Sequence, residues 1–210
     1  MFAKICGVTN KSILEFLIHH KNPPMFIGFI CNYPKSKRNL SYEKLKFLIN
    51  IKKNKKINFV SVLVDPSDYE LNKVAKLRFD YLQLYDVNPK RTLKIKEKFK
   101  TKIITAITIE NFKDVKKYNN YKNISDIILF DSKGYNESLS FNHELMKIIP
   151  LNIKKMIAGD IRYNDNLAKF KKISDIIDIS GGLETQGEKD IKKINIFLKK
   201  INKVNKENEN

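Results

Sequence analysis

Short apolar runs alternate with longer amphipathic segments along the chain, and the alternation occurs eight times. Each run holds about five residues rich in Ile, Val, Leu or Phe, as expected for parallel strands that are buried on both faces. The runs predict strands over residues 2–6, 25–30, 59–64, 80–84, 102–107, 126–131, 154–158 and 175–179.

The segments between these strands have the spacing of helices. Ile13, Phe16 and Leu17 form an i, i+3, i+4 stripe that would face a core. Similar stripes follow the second and the eighth strand, at Leu45, Leu48 and Ile49 and at Ile191, Ile194, Phe197, Leu198 and Ile201. Ser41 and Ser67 stand where helix-capping residues are expected.

A strand followed by a helical crossover, repeated eight times, predicts an α/β fold with one (βα)8 TIM barrel over residues 1–201. An open doubly wound sheet is the weaker alternative, because no GxGxxG turn follows the first strand. Residues 202–210 are polar and lack a clear period, so we expect a C-terminal tail there.

The charge of the chain raises the question of a polyanion partner. Lys and Arg total 41 against 23 Asp and Glu, a formal net charge of +18. The basic residues are scattered through every segment, however, and no nucleic-acid motif accompanies them. This pattern favours a solvated basic surface over a nucleic-acid partner, with a basic polyanion-binding barrel kept as an alternative.

Composition also limits other classes of function. The chain has no apolar run of about 18 residues and no signal-peptide pattern, so we expect a soluble cytoplasmic protein without a membrane partner. Cys6 and Cys31 are too few for a disulfide framework and have no metal-ligand spacing. We therefore expect reduced thiols, no metal and no cofactor.

Active sites of such barrels lie at the C-terminal ends of the strands. The side chains that could carry chemistry there are Cys6, Thr9, Lys35, Arg38, Gln83, Tyr85, Asp131, Ser132, Asp160 and Ser180, accompanied by Gly7, Gly159, Gly181 and Gly182.

Several of these residues belong to motifs that occur in a fixed order. Residues 4–9 read KICGVT, residues 27–29 with 35–38 read IGF and KSKR, and residues 81–84 read YLQL. Residues 129–132 read LFDS, 157–159 read IAG, and 178–190 read DISGGLETQGEKD. Together they resemble the KICGxT, GF…SPR, VQLHG, LLD, LAGGL and DVSSGVE…GxKD motifs of phosphoribosylanthranilate isomerases, over essentially the whole barrel.

The resemblance implies an Amadori rearrangement of N-(5′-phosphoribosyl)anthranilate, a small phosphosugar–anthranilate substrate, to a 1-deoxyribulose 5-phosphate product. It makes Cys6 the general base, a thiolate whose pKa must fall toward neutrality with help from Lys4. It makes Asp131 the general acid, which desolvation would keep protonated.

The resemblance also implies the binding groups. Arg38 would hold the anthranilate carboxylate, and Gln83 would contact the substrate. The phosphate would bind at Gly159 and at residues 180–182, that is Ser180, Gly181 and Gly182.

Structural alternatives remain for each of these residues. Cys6 could be a small core residue, Asp131 could cap its loop or pair with Lys133, and Arg38 could be a solvated cation. Cys31 is expected in the core. The three histidines, His19, His20 and His143, are expected on the surface, away from the catalytic rim.

The chain departs from the family pattern in four places. Residues 134–141 lack the family's Gly-rich run, Asp160 replaces the second glycine of LAGGL, Tyr85 and Asp86 replace His-Gly, and one serine of SSG is Gly181. A second hypothesis is therefore an isomerase-like barrel whose ligand has changed or whose activity is lost. The sequence leaves open whether the protein is a monomer or a homodimer.

Overall fold

The computed structural model describes residues 1–132 and 141–207, in which eight parallel strands close a barrel in chain order. The predicted single (βα)8 TIM barrel is confirmed, and every strand lies within two residues of its predicted bounds. The strands are β1 Phe2–Cys6, β2 Phe26–Ile30, β3 Asn58–Val64, β4 Tyr81–Tyr85, β5 Lys102–Ile109, β6 Ile127–Ser132, β7 Lys155–Ile157 and β8 Ile176–Ile179.

Pairing between the first and last strands closes the barrel. Lys4 of β1 stands opposite Phe26 of β2 on one side and Asp178 of β8 on the other. Because all neighbours run parallel, the eight C-terminal ends meet at one rim. Residues two apart on a strand share a face, so Lys4 and Cys6 both point into the barrel, where Cys6 joins the interior cluster.

The crossovers are less regular than the strands. Five are formed by substantial helices, namely α1 Lys11–His19, α2 Tyr42–Ile49, α3 Asp68–Ala75, α4 Pro89–Phe99 and, after β8, α7 Ile191–Lys206. In the other three, the described helical segments are short: α5 Phe112–Val115 continues into a 3₁₀ segment Lys116–Asn120, a 3₁₀ segment His143–Ile148 follows β6, and α6 Ala168–Lys171 follows β7. A two-stranded hairpin, β9 Glu184–Thr185 and β10 Glu188–Lys189, precedes α7.

Side-chain hydrogen bonds begin several of the helices, two of them at the predicted residues Ser41 and Ser67. The side chains of Asn10, Ser41 and Ser67 accept from backbone amides of the first turns of α1, α2 and α3. Ser67 and Glu70 form a reciprocal capping box. These caps fix where each crossover helix begins after its strand.

The predicted tail begins too early. The last helix continues through Lys206, so the prediction that the chain leaves regular structure after Ile201 is wrong for residues 202–206. Val204 packs against the core, and Asn205 exchanges hydrogen bonds with the backbone of Met1. These contacts stabilise a turn whose polar sequence looks non-helical by periodicity alone. Among the residues described, no helix has both the length and the apolar character needed to cross a membrane.

Candidate active site

A pocket opens at the rim formed by the C-terminal ends of the strands. Seven of the eight predicted site residues line it: Cys6, Arg38, Asp131, Gly159, Ser180, Gly181 and Gly182. The fold thus brings together groups from five different strand ends that are up to 176 positions apart in the sequence. Gln83 is the exception.

Cys6 lies beside a buried ion pair. The Lys4 Nζ donates to Asp178 Oδ2 at 2.6 Å, and the Lys4 side chain is fully enclosed. Although burial lowers the pKa of Lys4, Asp178 and Cys6 outweigh it and raise that pKa, so the ammonium stays charged. The cation lies close to the Cys6 thiol and lowers its pKa, so it favours a thiolate there.

The expected fall in the pKa of Cys6 is not found. Burial raises the pKa of the thiol above its ordinary value, and Lys4 offsets that effect only in part, while Asp178 adds to it. The prediction was wrong because the KICG motif shows the neighbouring cation but does not show how completely the barrel excludes water.

Asp131 ends β6 on another side of the same pocket. Its Oδ2 accepts from the Tyr85 hydroxyl at 2.7 Å, and its Oδ1 accepts from the Ser132 amide at 2.9 Å. Burial raises the pKa of Asp131 to about 6, although both donors lower it. The direction predicted for this carboxyl is therefore correct, and desolvation is its cause.

Gln83 does not reach the pocket, which corrects the expectation that it contacts substrate. Its side chain is fully buried in the barrel beneath Tyr85, and its Nε2 donates to the Tyr85 hydroxyl at 3.3 Å. Successive residues of β4 point to opposite faces of the sheet, so Gln83 and Tyr85 both point into the barrel. Tyr85 lies nearer the rim and covers Gln83.

Arg38 lies at the pocket edge with its guanidinium already bound to a carboxylate. Its Nε and Nη2 donate to the two carboxyl oxygens of Glu184, each at 2.6 Å. Glu184 also accepts from the buried Lys189. Burial alone would raise the pKa of Glu184, but the two cations lower it below its usual value, so this carboxylate is ionised. Arg38 is thus an oriented group, and the alternative of a freely solvated cation is wrong.

The side of the pocket proposed for phosphate is built from close backbone approaches. Gly159 has φ +90°, a conformation that side chains rarely adopt, and a Cβ on Gly182 would stand 2.1 Å from the Ile161 carbonyl oxygen. The Ser180 hydroxyl donates to the Cys6 carbonyl at 3.1 Å, which ties this wall to β1. Gly182 therefore allows the loops after β7 and β8 to approach each other, and Gly159 allows the loop after β7 to approach Ser132 at the end of β6.

A family model described as N-(5′-phosphoribosyl)anthranilate (PRA) isomerase matches residues 3–200. The chain belongs to this family. An N-(5′-phosphoribosyl)anthranilate isomerase of Thermoanaerobacter pseudethanolicus is 32% identical over 206 residues, covering 94% of this chain and 96% of the relative.

Solved structures of PRA isomerases share the fold. The phosphoribosylanthranilate isomerase of Thermotoga maritima has a TM-score of 0.85 at 24% identity, over 97% of this chain and 99% of that one. A PRA isomerase in complex with reduced 1-(o-carboxyphenylamino)-1-deoxyribulose 5-phosphate has a TM-score of 0.82 at 24% identity, with the same coverage.

Asp160 stands where the PRA isomerase motif has its second glycine, and the structure shows how the exchange is accommodated. The backbone has φ +44°, a left-handed conformation that Asp adopts more readily than most residues. The carboxylate lies 3.6 Å from Arg162 Nε, and both side chains are open to solvent. Asp86, in place of the glycine of QLHG, has φ +56°. Both aspartates thus adopt the left-handed backbone conformation that favours glycine.

His143 differs from expectation, and the altered loop after β6 falls largely outside the described residues. His143 is not a surface residue, since it is half-buried and its Nε2 lies 3.1 Å from the Ala158 carbonyl oxygen at the end of β7. The altered segment at residues 134–141 and the alternative partner Lys133 lie outside the described residues, apart from Phe141.

Sequence reasoning gave no role to Asp178, Glu184 and Lys189, which organise this PRA isomerase pocket. Asp178 could have been found because it is a charged residue within an apolar strand, as Lys4 is, and buried charges need partners. Glu184 and Lys189 lie in the hairpin after β8. No periodic signal in the sequence shows that Glu184 pairs with both Lys189 and Arg38.

Proposed function

We propose that this family member catalyses the Amadori rearrangement of N-(5′-phosphoribosyl)anthranilate, with Asp131 as general acid and Cys6 as general base. The observation that carries the proposal is that both side chains face one pocket, from β6 and β1, with Arg38 at its edge. The reaction needs an acid and a base on different sides of one sugar, and these two residues are separated by β7 and β8 around the barrel.

The proton transfers follow from these positions. The Asp131 carboxyl donates its proton to the ribose ring oxygen, and the ring opens to a protonated Schiff base. The Cys6 thiolate then removes the proton from C2′, giving an enolamine that tautomerises to the aminoketose. The tautomerisation moves a proton from the C2′ hydroxyl to C1′, and the proton held by Cys6 must return to Asp131 before the next turnover. An oriented general acid or base typically contributes about 10²–10⁴-fold.

The two pKa shifts define which form of the protein reacts. Asp131, with a pKa of about 6, loses its proton more readily than Cys6, whose pKa is raised. The form with a protonated Asp131 and an ionised Cys6 is therefore a minority at neutral pH, and the Lys4 ammonium increases its share by stabilising the thiolate.

The binding groups would hold the two anionic ends of the substrate. Arg38 would bind the anthranilate carboxylate with N–H donors beyond the two that Glu184 engages, since a guanidinium carries five. The phosphate would lie against Gly159 and residues 180–182. Asp160 also lines this pocket, and its pairing with Arg162 at 3.6 Å would offset the negative charge that it places near a phosphate. We further propose a cytoplasmic protein, monomeric or homodimeric, with no nucleic-acid partner.

Complementation of a tryptophan auxotroph that lacks the isomerase tests this function. We expect the wild-type chain to restore growth without tryptophan and the Cys6→Ser variant, expressed at the same level, to fail. A folded wild-type protein that does not restore growth would instead support the hypothesis of an isomerase-like barrel with another ligand.

A further inference from the structure

Tyr85 occupies a place in the pocket where the motif of related isomerases has histidine. It ends β4, only 7% of its surface is exposed, and it forms part of the pocket wall beside Asp131. Its hydroxyl donates to Asp131 Oδ2 at 2.7 Å, the distance of a strong hydrogen bond to a carboxylate.

A second buried group sets the direction of this hydrogen bond. Gln83 Nε2 lies 3.3 Å from the Tyr85 hydroxyl oxygen. An amide nitrogen can only donate, so it occupies a lone pair of that oxygen and leaves the hydroxyl proton for Asp131. Gln83 and Tyr85 are thus successive donors in a chain of hydrogen bonds that runs from the barrel interior to the Asp131 carboxyl group.

The arrangement fixes both oxygens of Asp131. Oδ2 is held by Tyr85 from β4, and Oδ1 is held by the backbone amide of Ser132. The carboxyl group therefore has a defined plane before substrate arrives, and its rotation about χ2 is restricted. A general acid must point its proton at one atom of the substrate, so such fixation matters for the reaction.

We propose that Tyr85, oriented by Gln83, is a positioning residue that holds the Asp131 carboxyl in place and stabilises its ionised form. The inference rests on the proposed function in treating Asp131 as the acid. It goes beyond that function because the residue responsible is one that the family motif does not contain.

Other charged groups also act on Asp131. Asp178 of β8 raises its pKa, and Lys4 of β1 lowers it. Cys6, Arg38 and Asp160 line the same pocket. The contribution of Tyr85 must therefore be measured by changing its hydroxyl alone, with all of these groups retained.

The direct test is a carbon-13 NMR titration of the Asp131 carboxyl in the wild type and in Tyr85→Phe. Loss of the donor should raise the pKa of Asp131, by on the order of one unit, because a hydrogen bond to a charged group contributes about that much free energy. The matched control is Tyr81→Phe, which removes a hydroxyl from the opposite end of the same strand and should leave the titration unchanged. An unchanged titration in Tyr85→Phe would overturn the proposal.

Gln83→Met provides a second, independent variant. It keeps the Tyr85 ring and the volume of the interior but removes the donor that orients the hydroxyl, so we expect a smaller upward shift of the same pKa. In assays, Tyr85→Phe should lower kcat by roughly tenfold and change KM by less than about threefold, since positioning acts on the proton transfer. A change in KM alone would contradict the positioning role.

The NMR result separates this inference from the proposed function. If Tyr85→Phe shifts the Asp131 titration but the wild-type protein has no isomerase activity, the function is refuted and the Tyr85–Asp131 coupling stands. If the wild-type protein is active but Tyr85→Phe leaves the Asp131 titration unchanged, the coupling is refuted and the function stands.

Discussion

Arg38 is not a simple clamp for a substrate carboxylate, because its guanidinium already binds a carboxylate of the protein. Two of its donors engage Glu184, which Lys189 also binds. We interpret Glu184 as the group that orients Arg38 toward the pocket. The substrate carboxylate must then share the cation with Glu184 or displace it.

Arg38→Ala should weaken binding of reduced 1-(o-carboxyphenylamino)-1-deoxyribulose 5-phosphate, an unreactive analogue of the product, by roughly 10- to 100-fold. The reason is that a hydrogen bond to a charged group contributes about 1.5–3 kcal/mol. Binding of inorganic phosphate should change much less. Titration calorimetry measures both. Lys37→Ala, an exposed cation in the same loop, serves as the control. Equal weakening of the two ligands would show that Arg38 contributes only general electrostatics.

Asp160 provides a second test at the residue scale. Its carboxylate pairs with Arg162 in solvent-open surroundings, where such pairs contribute only about 0–1 kcal/mol. We expect Asp160→Gly to tighten phosphate binding by less than about fivefold. A large gain, with no measurable binding by the wild type, would indicate that the native ligand has no phosphate at this position.

The motifs predicted residues that meet at one pocket but not the surroundings of each residue. Cys6, Asp131 and Arg38 all lie at the pocket, because strand ends of a barrel converge on one rim whatever their separation in sequence. The raised pKa of Cys6 and the burial of Gln83 depend on packing across the barrel. A single sequence carries no signal for such cross-barrel contacts.

At the scale of elements, β1 and β8 are joined by the buried pair of Lys4 and Asp178. Lys4→Met should destabilise the fold by about 3–5 kcal/mol, because it leaves Asp178 buried without its partner. Urea unfolding measures the change. The double variant Lys4→Met with Asp178→Leu should recover much of the loss.

Lys11→Met is the matched control for this prediction. It removes an exposed pair with Glu15 on α1, which should cost less than about 0.5 kcal/mol. If the Lys4 and Lys11 variants had equal stability, the buried pair would not hold the barrel closed.

Strands were predicted more accurately than crossovers for a physical reason. Each strand is largely buried on both faces and rich in apolar residues, as in the apolar run at residues 127–130. The helical segments described after β5, β6 and β7 are too short to show a clear helical period in the sequence. The end of α7 was missed because its last turn is held by Asn205 and Val204, through contacts with distant residues.

At the scale of the whole molecule, the net charge of +18 is spread around the barrel. Exposed lysines occur on helices as far apart as Lys44 of α2, Lys94 of α4 and Lys199 of α7. We therefore expect catalysis on one small anion to change only modestly between 50 and 200 mM salt, whereas nucleic-acid binding through several phosphates would fall by orders of magnitude. Fluorescence anisotropy with labelled DNA and RNA tests this. Tight, steeply salt-dependent binding would favour the polyanion-binding alternative.

The central claim is that Cys6 and Asp131 together carry out the isomerisation. The most direct measurement follows the loss of anthranilate fluorescence when purified protein acts on N-(5′-phosphoribosyl)anthranilate. We predict that the wild type converts the substrate and that Cys6→Ser and Asp131→Asn each lose about 10²–10⁴-fold in kcat with unchanged thermal stability. Wild-type rates in either variant, or no conversion by the folded wild-type protein, would contradict the account.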